Sequence, residues 1–192
     1  MRLGRYWRWS LEMIVHEHRT RLLHVARTSI AAVFDGTDPD WSPEDFDETL
    51  RRPSGAFVTL TIDGDLRGCI GSIEPVAALF RAVATGAVSA AFRDPRFIPM
   101  TKAELARVHI EISVMGPIEQ VTDAETIVCG RDGLIVRRGH RAGLLLPQVA
   151  SERGWDRDTF LRQTCVKAGL PPEAWRLPDC RIERFSAEVF GE

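Results

Sequence analysis

Apolar residues recur at Leu22, Leu23, Ala26, Ile30, Val33 and Phe34, the spacing of one helical face, and Gly36 follows as a stop. That spacing predicts an amphipathic helix entered somewhere after Ser10. A second stripe, Val76, Leu79, Phe80, Val83, Ala87 and Ala90, predicts a helix opened by Pro75. It should end near Ala91, because the two prolines between Phe92 and Pro99 remove backbone donors. Between these helices the period drops to two. Ala56 to Leu60 and Leu66 to Ile70 flank Asp63-Gly64, a dipeptide suited to a tight turn between antiparallel strands. Thr101-Lys102-Ala103-Glu104 has the capping-box pattern of a short helix. Val108 to Met115 then alternates: Val108, Ile110, Ile112 and Val114 share one face, and His109, Glu111, Ser113 and Met115 the other.

After Gly116-Pro117 breaks that strand, the elements shorten. Leu134 to Val136 and Leu144 to Leu146 read as strands around a turn at residues 137–143, and Pro147 to Glu152 and Asp158 to Ala168 as helices. Phe160, Leu161, Thr164, Cys165 and Ala168 fall on one face of the last helix, which makes Cys165 a core residue. Phe185, Ala187 and Val189 alternate as a final strand, and Trp155 and Trp175 are expected to anchor a second lobe against the first. The acidic stretch Asp35 to Pro53 reads as an exposed loop with a helical turn at Pro43 to Leu50.

Candidate chemistry concentrates in Leu66-Arg67-Gly68-Cys69-Ile70-Gly71. If the run is extended, Leu66 and Ile70 point one way, Arg67 and Cys69 the other. Gly68 and Gly71 weaken a strand and fit best where another backbone or a ligand comes close. Arg67 beside Cys69 then forms a small polar site; the alternative is a core cysteine on a bulged strand. Arg93, Asp94 and Arg96 form either a local ion-pair corner or a contact for an anion. His16, His18 and His24 lack the His-Glu-x-x-His spacing of a zinc site, and His140 sits among arginines in a turn.

Composition narrows the classes. The chain has 192 residues, 44% hydrophobic and 27% charged, with a formal net charge of −2. That describes one globular domain with ample core, and it gives no basic footprint for nucleic acid. The amino terminus lacks the apolar run of a signal peptide, and no span reaches membrane-crossing length. Cys69, Cys129, Cys165 and Cys180 form no Cys-x-x-Cys pair, which argues against structural zinc and for a reducing, cytoplasmic setting. No cofactor or metal is expected.

Gly55-Ala56-Phe57-Val58-Thr59-Leu60, followed by the Leu66 to Gly71 hexapeptide, resembles the signature of the AMMECR domain family, also called AmmeMemoRadiSam system protein A. Asp94-Pro95-Arg96-Phe97, Glu111-Ile112-Ser113-Val114, residues 143–150 and Cys165-Val166-Lys167-Ala168-Gly169-Leu170 follow in the family's order. The likeness spans roughly Leu22 to Glu188, the length of a whole domain, and leaves residues 1–21 outside. It implies an α/β fold of the α+β type: a two-lobed domain, a larger lobe and a smaller one within residues 22–192, with a mostly antiparallel sheet flanked by helices. It places the hexapeptide near the cleft between lobes, and it implies Memo-like and radical-SAM partners but no reaction. Having no further cysteine set for an iron–sulfur cluster, the chain would leave radical chemistry to a partner.

Two readings follow. In one, Cys69 is a nucleophile or redox thiol on a small anionic substrate, Arg67 stabilises the thiolate or grips the anion, and Glu111 or His109 moves protons. In the other, Arg67 and the glycines Gly68 and Gly71, with Leu66, Ile70, Asp94, Arg96 and Ser113, shape a docking cleft for the partners, and Cys69 is merely small, buried and apolar.

Overall fold

The computed structural model describes residues 14–192. They form two compact units: one runs to Met115 and takes back Glu188–Glu192, and the other is Gly116–Ala187.

In the first unit, helix α1 (His16–Asp35) ends where Gly36 turns left-handed at φ 64°, and the Thr37 N–H bonds back to the Ala32 carbonyl at 2.9 Å. After the short helix α2 (Glu48–Arg51), capped by the Asp47 carboxylate on the Leu50 N–H, come β1 (Ala56–Ile62) and β2 (Asp65–Ser72). Helices α3 (Leu79–Phe92) and α4 (Lys102–Leu105) lead to β3 (His109–Met115). With the last strand of the chain, β8 (Ala187–Gly191), these make a four-stranded sheet in the order β2-β1-β3-β8. Val58, Leu60, Ile110 and Ile112 are fully buried on one face, in the same core as Leu22, Val25, Phe80 and Val83 of α1 and α3. Each such side chain contributes roughly 1.5–3 kcal/mol by leaving water.

Gly68 lies under α3. A Cβ there would collide with the Ala90 carbonyl, and one on Gly86 would meet Val58 at 3.3 Å. These glycines let the helix settle onto the strands, so at Gly68 the close neighbour is a helix rather than a ligand.

Three expectations are corrected. A bulge at Leu60/Thr61 pairs Leu66 with Thr61 while Ile70 pairs with Val58, so Leu66 and Ile70 leave opposite faces. Pro75 does not open α3: residues 75–78 run beside Pro53, with Pro53 bridged to Ala78 and the Ser54 N–H on the Ala77 carbonyl, and the helix waits until Leu79. The run through Phe185 to Val189 is two strands, divided at Ser186, and Phe190 rather than Val189 turns into the core.

The second unit has its own antiparallel sheet, order β4-β7-β5-β6, built from β4 (Glu119–Gln120), β5 (Gly133–Arg138), β6 (Arg141–Leu145) and β7 (Arg181–Phe185). Helix α5 (Pro147–Glu152) and α6 (Arg157–Lys167), capped by Asp156 on the Thr159 N–H, complete it. Phe160, Leu161 and Cys165 are fully buried there. Trp155 and Trp175 pack on this unit's own core. No helix among the described residues is long and apolar enough to cross a membrane.

Candidate functional site

β2 is an edge strand, and its outward backbone groups at Cys69 need partners. Asp94 and Arg96 supply them. The Cys69 N–H donates to Asp94 Oδ2 at 2.9 Å, and the Cys69 carbonyl accepts from Arg96 Nη2 at 3.4 Å. With its amide turned outward, Cys69 forms a non-hydrogen-bonded pair with Thr59 of β1, the type in which facing side chains come closest. The Thr59 hydroxyl accordingly donates to Cys69 Sγ at 3.4 Å. The sulfur belongs to a half-buried residue. On the other side of β1, Glu111 of β3 stands opposite Thr59. Cys69, Thr59 and Glu111 therefore form one row across three strands, on the face away from the helical core. Two strand spacings, about 10 Å, separate the backbones of Cys69 and Glu111, and no hydrogen bond joins the carboxylate to the thiol. Along β3, His109 is exposed, Glu111 half-buried and Ser113 buried, the last opposite Phe57.

The Asp94 corner is built by its own sequence. Aspartate followed by proline favours a turn, and the Phe97 N–H closes it on the Asp94 carbonyl at 3.1 Å. The buried carboxylate accepts from Arg96 Nε at 2.9 Å and Nη2 at 2.7 Å, from the Arg96 N–H at 3.1 Å, and from Cys69. These contacts, led by the Arg96 guanidinium, hold the Asp94 carboxyl far below the ordinary carboxylate range despite its burial.

Arg67 does something other than expected. Its Nε donates to Glu104 Oε1 at 2.7 Å and its Nη2 to Glu104 Oε2 at 3.3 Å and to the Ile98 carbonyl at 3.0 Å. Glu104 also closes the capping box of α4, accepting from the Thr101 N–H at 2.8 Å. The Arg67 hydrogen bond first, then that backbone contact, lowers the Glu104 carboxyl to about 2. Phe97 lies between the two arginines, its ring centre 6.0 Å from the Arg67 guanidinium and 5.5 Å from that of Arg96. Arg67 thus ties β2 to α4 instead of serving the sulfur, because the bulge beside it breaks the simple alternation.

The structure brings Cys69, Asp94 and Arg96 together and adds Thr59, Glu104 and Phe97, which sequence reasoning missed. An unbulged two-residue turn would set Thr59 opposite Gly68; the bulge moves it one place, onto Cys69. Glu104 carried a signal in the capping box, but a cap does not announce a second partner. Gly68 and Ile70 pair with the core residues Leu60 and Val58. A Cβ on Gly71 would strike Ala56 and Phe57, so no space for a ligand opens there. No group of three or more His, Cys, Asp or Glu side chains among the described residues is placed to hold a metal ion.

A family model described as AMMECR1 matches residues 23–190. A protein of Methanothermobacter thermautotrophicus is 45% identical over 182 residues, covering 92% of this chain and 94% of that one. A protein of Methanopyrus kandleri is 48% identical over 154 residues, 76% of this chain and 74% of its own. The crystal structure of an uncharacterised protein from Pyrococcus horikoshii superposes with a TM-score of 0.81 at 39% identity, over 90% of each chain.

Proposed function

The chain belongs to the AMMECR1 family, and from that premise we propose that it is a binding or accessory component rather than a free-standing catalyst. Its partners in this reading are Memo-like and radical-SAM proteins, and they dock on the surface around Leu66 to Gly71. One observation carries the proposal: the charges nearest Cys69 are committed to each other. Asp94 holds Arg96, Glu104 holds Arg67, and among the described residues the one hydrogen bond to the sulfur comes from a threonine, which is no general base. Beside these pairs, Leu66 and Ile98 stay 43% and 78% exposed, the apolar surface that a docking partner would cover.

A thiol-based enzyme is the second reading, favoured by the Thr59 hydroxyl on the sulfur and by Glu111 next in the row. Association measurements with the purified partners at micromolar concentration separate the two. Arg67 is unsuited to this test, because replacing it breaks its ion pair with Glu104. The proposal expects Cys69→Ala to bind as wild type does, and Ile98→Asp to weaken association by about tenfold or more, as loss of a buried apolar anchor does. Absence of association by the wild-type chain, or its loss in Cys69→Ala alone, would overturn the proposal.

A further inference from the structure

On the helical layer of the first unit, a groove of about 310 Å³ opens between α1, α3 and residues 37–41. Its third wall is held by chemistry local to this chain. Gly36 ends α1 in a left-handed turn, and the Trp41 indole N–H donates to Ser29 Oγ at 3.0 Å, stapling the loop back to the helix. The volume lies at the lower end of the ~300–1,000 Å³ usual for small-molecule sites.

The lining is unusual in its charges. Among the described residues, Arg93 is the one arginine whose guanidinium meets no carboxylate, carbonyl or aromatic ring of the chain. Asp38, on the same groove, also takes no hydrogen bond, and the two do not pair with each other. Ser29, Thr85 and Ser89 share the lining, with the half-buried Trp41 as an aromatic wall. Ser29 is 4% exposed and accepts from Trp41, yet its own O–H donates to no described residue. A cation and an anion that line one groove without touching leave a gap that a molecule carrying the opposite charges would bridge.

We infer that this groove binds a small zwitterion, a free amino acid or close analogue, with its carboxylate on Arg93, its ammonium on Asp38 and its carbon skeleton against Trp41. The inference uses none of the residues of the docking surface and stands whether or not that reading holds. Isothermal titration of the purified chain with the proteinogenic amino acids and γ-aminobutyrate tests it, with propionate and propylamine as single-charge controls. The expected result is saturable one-to-one binding of at least one zwitterion, with each control weaker by about tenfold or more, since each lacks one charge-assisted contact. Arg93→Gln and Asp38→Asn, both exposed positions, should each weaken binding similarly while the melting temperature is unchanged. If no zwitterion saturates the site, if binding survives both substitutions, or if propionate binds as well as the zwitterion, the inference is wrong.

Discussion

The corner at the β2 edge and the groove between α1 and α3 meet in sequence at Arg93-Asp94, yet they use the same residue types differently. At the corner, two arginines meet two carboxylates, and those carboxylates also take backbone N–H groups from Cys69, Arg96 and Thr101. Charge there replaces a missing neighbour strand and fixes α4 against β2. In the groove, an arginine and an aspartate stay unmatched on a lining shared with a buried serine. Satisfied charges hold a fold, and unmatched ones lining a cavity are available to something else.

The largest effect that would sharpen this contrast is expected from Asp94→Asn. It removes a buried charge that accepts four hydrogen bonds and leaves Arg96 and the β2 edge poorly matched, for a loss of about 2–3 kcal/mol in urea unfolding. A change under about 0.5 kcal/mol, the usual range of surface substitutions, would break it.

A smaller effect is expected from acid. Glu104 has its carboxyl lowered from 4.5 to about 2 in the folded chain, so folding favours its ionised form. The resulting stability is present above pH 4.5 and is lost as pH falls toward 2. Glu104→Gln should therefore flatten the stability curve across that window and leave its shape above pH 5 unchanged. An unaltered curve would show that the Arg67 pair does not favour the ionised carboxylate.

Much of the fold was legible before the structure because it rests on periodicity. The stripes of α1, α3 and α6, the alternation of β3, the Asp63-Gly64 turn and the Thr101–Glu104 box each depend on residues within a few positions. What escaped depends on a single inserted residue or on distant pairing. The bulge after Leu60 reassigns Leu66 and sets Cys69 beside Thr59. The break at Ser186 splits one alternating run between two sheets. The Asp94–Arg96 pair was readable as an ion-pair corner, but not its use in closing the edge of β2. Arg93 was readable as a contact for an anion, but the groove around it was not, since its walls come from residues 29–41 and 84–93 and its meaning lies in contacts that are not made.

Paired double-mutant cycles test the contrast most directly. The Arg67/Glu104 cycle and the Arg93/Asp38 cycle, each with alanine, would be followed by urea unfolding of the whole chain. Side chains in contact couple by about 0.5–3 kcal/mol, whereas separated ones add independently. The account predicts clear coupling for Arg67 with Glu104 and none for Arg93 with Asp38. Equal coupling in the two cycles, or coupling only in the second, would contradict it.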